Sequence, residues 1–131
     1  MKDEYQQVRF HCEQKELPAA FFVVTAHNPE GNTVDDIANQ MANEQLRAEL
    51  ESLNFKNFHV TGGNSDFSHA EPGYGIVCTR EEALRLARKF RQDAIFEVRE
   101  GKVFLVSAKD PTELIKKIGL WVELMEQPES T

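Results

Sequence analysis

The chain has 131 residues, 40% hydrophobic and 28% charged, the size and balance of one soluble globular domain. Nine Phe, two Tyr and one Trp supply enough apolar surface for a core, which excludes a disordered chain, a collagen-like chain and a disulfide-stapled miniprotein. Fifteen basic against twenty-two acidic residues leave a charge of −7, which argues against a nucleic-acid partner, because neutralising phosphates needs a positive field.

Residues 5–12 read as a first strand, with Val8, Phe10 and Cys12 alternating against Arg9 and His11. Leu17-Pro18 interrupts it. The run Phe21-Phe22-Val23-Val24-Thr25-Ala26 has no polar alternation and reads as a central strand buried on both faces. His27-Asn28-Pro29-Glu30-Gly31-Asn32 closes it as a loop. A long helix follows over about 33–53, with Thr33 as N-cap and Asp35 and Asp36 in its first turn, where carboxylates favour the helix dipole. Residues 58–61 form a short strand, 62–66 a glycine-rich turn, and 73–78 a further strand entered through Glu71-Pro72.

Thr79-Arg80-Glu81-Glu82 is a capping box that opens a helix to about Phe90. Residues 94–99 and 102–107 pair as a hairpin across Glu100-Gly101. Asp110-Pro111-Thr112-Glu113 opens a last helix, with a stripe of Leu114, Ile118, Trp121 or Val122, and Met125. The resulting order, β-β-α-β-β-α-β-β-α, argues for a single α+β domain over residues 1–126: a two-layer sandwich with a mostly antiparallel sheet and helices mainly on one face. A ferredoxin-like β-α-β-β-α-β core can be cut from its middle. Residues 127–131 read as a disordered tail.

Met1-Lys2-Asp3-Glu4 precedes no apolar run, so no signal peptide is expected, and the longest apolar stretch falls far short of the ~20 residues that span a bilayer. A cytoplasmic location with no membrane partner follows. Cys12 and Cys78 lie in strand-like runs outside any CxxC and read as buried, inert thiols.

The polar residues that break these patterns are the candidate site. On the first long helix, Asn43 and Asn39 fall on the line that Leu46 and Leu50 mark as inward. Either the helix rolls to bury Val34, Ile37 and Met41 instead, or two amides face inward toward a polar pocket. Thr25, His27 and Asn28 end the central strand, where α/β sites often form; taken alone, they are turn chemistry. His69-Ala70-Glu71 is a weak metal spacing with no third ligand signposted, and no metal is expected. Arg91-Gln92-Asp93 joins a helix to a strand. In a ferredoxin-like sheet the strands after Glu71 and Asp93 run antiparallel to the central one, which brings Thr25, His27, Asn28, Glu71, Gln92 and Asp93 to one rim, with Asn39 and Asn43 nearby. No GxGxxG, GxxxxGK, GxSxG or HExxH is present.

Thr25-Ala26-x-Asn28-Pro29, Asn39-x3-Asn43-x2-Leu46-x3-Leu50, Glu71-Pro72 and Phe90-x-Gln92-Asp93-Ala94-Ile95-Phe96 together resemble the bacterial domain-of-unknown-function family 3293, over roughly residues 5–106. The resemblance implies a small, single-domain bacterial protein and carries no established activity. Its matching positions are the flagged polar ones, which favours one shared pocket. The chain departs at His27, where the family more often has Tyr or Trp, and at Gly73, where it has a Ser-like residue.

Two functions fit. In the first, a small molecule or nucleotide-like ligand is bound by Thr25, His27, Asn28, Asn39, Asn43 and Gln92, with Glu71 and Asp93 as the acid/base candidates should a reaction occur. In the second, the amides are structural and the protein is a non-catalytic interaction or regulatory module, monomeric or homodimeric through an edge strand at 5–12 or 102–107. The sequence leaves the cofactor unknown.

Overall fold

The apolar run after Ala20 becomes the centre of a sheet, because side chains on both its faces must leave water. The computed structural model describes residues 8–109 and 116–125. Seven strands form one sheet: β1 (Arg9–His11), β2 (Ala20–Thr25), β3 (Asn57–Gly63), β4 (Ala70–Ile76), β5 (Ala94–Arg99), β6 (Lys102–Ser107) and β7 (Lys116–Leu120). Their order in space is β1-β3-β4-β2-β5-β6-β7, and neighbouring strands are antiparallel. The described helices are α1 (Asp36–Ser52), α2 (Arg80–Lys89) and the single turn α3 (Trp121–Leu124). The architecture is α+β.

Alternation along β2 builds two cores. Phe22 and Val24 join Leu46 and Leu50 of α1, Ala83, Leu86 and Ala87 of α2, and Ile76 and Ile95 on one face. Phe21 and Val23 join Phe10, Phe58, Val60, Val98, Val103, Trp121 and Leu124 on the other. Full burial of each leucine contributes about 1.5–3 kcal/mol. The sheet curls over the second core, and its margins approach one another, since Phe10 of β1 bridges Met125, just past α3. Helices α1 and α2 share one face, as expected, but the opposite face is also a filled core.

Local signals hold in several places. Both capping-box bonds at Thr79 and Glu82 form. The β5–β6 hairpin turns on Glu100 and Gly101, both with positive φ, as a two-residue turn matched to strand twist requires. Helix α1 does not roll: Ile37 and Met41 are 71% and 56% exposed, while Asn39, Leu46 and Leu50 are buried.

Other expectations are corrected. Thr33 is not the N-cap of α1; Asp35 is, accepting from the Ala38 N–H at 2.7 Å, because the loop before it extends to Val34, whose N–H is held by Asn28 Oδ1. Gly62 and Gly63 belong to β3 rather than to a turn, pairing with β1 on one side and β4 on the other. A side chain at Gly63 would lie 2.7 Å from the His69 carbonyl and against the Phe67 ring, so glycine serves close approach here. Strand β4 starts at Ala70 and takes in Glu71 and Pro72, which were read as its entry.

The largest difference is at 116–120, which is strand, not helix. Pairing with β6 overrides the helical spacing, and a register irregularity leaves Ile118 without a direct partner, the geometry of a bulge. Ile118 still packs on the second core. Lys102–Ser107 is therefore covered by β7 and is no edge. The Asp110-Pro111 cap, Leu114, residues 5–7 of the first expected strand and the expected tail lie outside the described residues.

Candidate functional site

At the end of β2 the chain must leave a buried position while its peptide groups still need partners. Thr25 Oγ1 donates to the Pro72 carbonyl at 2.6 Å and accepts the His27 N–H at 3.0 Å. Helix α1 supplies the rest. Asn43 Oδ1 accepts the Ala26 N–H at 2.9 Å, and its Nδ2 donates to the Pro72 carbonyl at 3.0 Å. Asn39 Oδ1 accepts the Asn28 N–H at 2.8 Å, and its Nδ2 donates to Asn28 Oδ1 at 3.0 Å. The two amides thus occupy an inward helical line because they complete the backbone of the strand end.

The same network orients His27. Asn39 Nδ2 lies 3.3 Å from His27 Nε2, and since that amide nitrogen can only donate, Nε2 accepts and the ring is neutral with its proton on Nδ1. Nδ1 is buried without a hydrogen-bond partner among the described residues. Burial pushes the His27 pKa below the ordinary 6.5; Glu71 and Asp36 favour the cation and His69 opposes it, but burial outweighs them. The unfolded chain therefore takes up a proton near pH 6.5 while the folded one resists. Stability from this residue is complete above that value and is lost as pH falls below it toward the lower folded pKa. Urea midpoints measured from pH 7.5 to 5 should fall, and His27→Gln should flatten the slope; an unchanged slope would remove His27 as the cause.

In front of this network lies a cavity of about 420 Å³. Its apolar wall is Val8, Phe10, Val23 and Phe96, and its polar lining includes Thr25, Asn28, Thr33, Asn64, His69, Glu71, Gln92 and Asp93. The register explains the convergence. Thr25 pairs with Gly73 and Val23 with Phe96, so the end of β2 meets the starts of β4 and β5. Of the eight expected site residues, Thr25, Asn28, Glu71, Gln92 and Asp93 line the cavity. His27, Asn39 and Asn43 do not; they hold the wall from behind.

The neighbouring loops are pinned in unusual conformations. Asn28, Glu30 and Arg91 all have positive φ, which is costly for non-glycine residues. The strain is held by the Glu30 N–H bonding the Arg91 carbonyl at 2.6 Å and an ion pair between the same residues at 2.9 Å. Gln92 Nε2 donates to the His27 and Phe90 carbonyls, both at 3.2 Å, tying the loop between α2 and β5 to the loop after β2. The Asp93 carbonyl accepts the Ala108 N–H at 2.9 Å, which anchors the start of β5.

Thr33, Asn64 and His69 line the cavity without being among the expected site residues, and His69 is the one that bears on chemistry. Its Nε2 is 2.9 Å from Glu71 Oε2, so Glu71 orients an imidazole at the cavity, the arrangement of a base with its positioning carboxylate. The spacing in His69-Ala70-Glu71 was the available signal, read only as a weak metal pattern. Val8, Phe10 and Phe96 carried no signal, because nothing local says that positions near the start of the chain meet position 96. Among the described residues, no group of three His, Cys, Asp or Glu is placed to hold a metal ion. Burial raises the pKa of the Cys12 thiol and pushes that of Cys78 up to about 12, against a role for either as a nucleophile. No helix among the described residues is long and apolar enough to cross a membrane.

A family model described as a protein of unknown function (DUF3293) matches residues 24–95, more than half of the chain. The match contains all eight expected site residues and excludes the apolar wall residues Val8, Phe10, Val23 and Phe96. No curated protein and no solved structure matches the chain.

Proposed function

The chain belongs to DUF3293, a family of proteins of unknown function, so function has to be read from the site itself, and we propose that the cavity beside Thr25 binds a small molecule with an apolar body and a hydrogen-bonding edge. One observation carries this reading: an aromatic and aliphatic wall faces Thr25, Asn28, Glu71, Gln92 and Asp93 across a space of about 420 Å³. That combination of apolar lining with few convergent polar groups is the usual composition of a ligand site. The spent amides of Asn39 and Asn43 support it indirectly, since they rigidify the wall and leave the lining residues in place. Should the ligand react, the Glu71–His69 pair is the acid/base group, and Asp93 is the second acid/base candidate through its place on the lining. The strand order β3-β4-β2-β5, with α1 and α2 on one face, supports a ferredoxin-like core in which the cavity lies on the face away from the helices.

The reading is tested by thermal shift with nucleotides, amino acids, amines and sugars on the wild type and Glu71→Gln. A ligand at a hundred times its Kd adds about 2.7 kcal/mol, several degrees for a domain of this size. The shift should shrink in Glu71→Gln, whose own melting should change little, because a solvent-accessible pair such as Glu71–His69 contributes only about 0–1 kcal/mol. Shifts unaffected by Glu71→Gln place the ligand elsewhere.

A second reading keeps one specific support. Ile37 and Met41 stand exposed on the outer side of α1, which fits an interaction module better than a solvent-facing helix. Under that reading Ile37→Glu with Met41→Glu abolishes association and leaves ligand shifts intact.

A further inference from the structure

The charge of the cavity narrows the ligand class, and we propose that the site selects an organic cation, an amine or amidinium group on a small apolar body. The inference rests on the small-molecule reading above and goes beyond it. Two carboxylates, Glu71 and Asp93, line the cavity, and among the described residues no Lys or Arg does.

The nearby cations do not cancel them. Lys109 Nζ is 4.0 Å from Asp93 Oδ1 on a largely exposed side chain, and exposed pairs of this kind couple weakly. Arg91 is committed to Glu30. His69 engages only Oε2 of Glu71. Glu71 Oε1 accepts from none of the described residues.

The wall suits the rest of such a ligand. Phe10 and Phe96 meet edge to face with centroids 5.2 Å apart, and aromatic faces attract an ammonium or guanidinium placed within about 6 Å. The volume lies toward the small end of ligand cavities, room for one ring and a short arm. A phosphate or carboxylate would meet two like charges at the cavity and a chain of net charge −7 around it, a field that repels anions before contact. A nucleotide is therefore the less favoured branch of the small-molecule reading.

Three probes of one shape separate charge from fit: 2-phenylethylamine, 2-phenylethanol and 3-phenylpropanoate, titrated by calorimetry and ligand-observed NMR at pH 7.5 in low and high salt. The amine should bind about tenfold or more tighter than the alcohol, a gap that narrows as salt screens the carboxylates, and the anion should bind weakest. Glu71→Gln and Asp93→Asn, each checked for folding by its melting curve, should each weaken the amine severalfold and leave the alcohol unchanged. Equal affinity of amine and alcohol, or an amine affinity untouched in both folded variants, overturns the cation assignment while leaving the pocket reading in force. Binding by none of the three overturns the cation assignment and, together with a silent thermal-shift screen, the pocket reading as well.

Discussion

Asn39→Ala should lower the unfolding free energy by about 3 kcal/mol. The side chain is only 4% exposed, yet its two amide atoms serve three partners: the Asn28 N–H, Asn28 Oδ1 and His27 Nε2. Truncation leaves buried groups without partners, each worth about 1–3 kcal/mol of lost desolvation. The better helix propensity of Ala returns only about 0.5 kcal/mol. Interpolated between smaller and larger domains, the loss corresponds to a melting point roughly 10 °C lower. Asn43→Ala should cost less, because Asn43 is only partly buried and the Pro72 carbonyl keeps its bond from Thr25. Urea denaturation of both variants checks the order. A change under about 1 kcal/mol for Asn39→Ala would mean that water replaces the amide at the strand end, and that the inward asparagines are not what holds the β2 terminus.

Trp121→Ala should be costlier still, about 3–5 kcal/mol, the usual loss for deleting a large buried aromatic. Trp121 stacks on Phe10 with centroids 5.0 Å apart and meets Phe21 edge to face at 5.4 Å. With Ile118 and Leu124 it is thus one of the residues through which β7 and α3 cover the second core. Its backbone N–H also bonds the Gly101 carbonyl at 2.8 Å, so the hairpin between β5 and β6 fixes where the ring lands. As the one Trp of the chain, it reports its own environment: native emission should be blue-shifted and should move to the red in step with unfolding. Trp121→Phe should recover most of the stability, since an apolar ring remains. Because Phe10 is also cavity wall, Trp121→Ala should loosen ligand binding even under conditions where the protein stays folded. Full retention of stability would show that the second core does not depend on this ring.

Asn39 and Trp121 also mark how far the sequence could be read. Asn39 was legible as an anomaly, because an amide on a leucine line contradicts simple burial; what it does was not, because its partners, Asn28 and His27, are eleven and twelve residues away in a loop of no predictable shape. Trp121 was legible as core but was assigned to a helix stripe. The spacing of Ile118, Trp121 or Val122, and Met125 fits a helix as well as it fits a bulged strand followed by one turn. Short apolar segments carry both patterns, and pairing with β6 decided between them. The glycines at 62 and 63 misled for the opposite reason: glycine signals a turn locally, but here it admits the Phe67 ring and the His69 carbonyl.

What the sequence determined by itself is whatever depends on neighbours in the chain. Burial on both faces of 21–24, the Thr79 capping box and the Glu100-Gly101 hairpin follow from periodicity and from hydrogen bonds spanning two to four residues, whereas periodicity left two possible inward lines for α1. Tertiary structure alone decided which of the flagged polar residues reach a cavity and which support its wall. That division depends on strand register, which sets Thr25 against Gly73 and Val23 against Phe96, and on the curl of the sheet that brings Phe10 to Phe96 and Trp121. A one-residue change of register would turn the same side chains to the other face, and no local interaction in the chain specifies it.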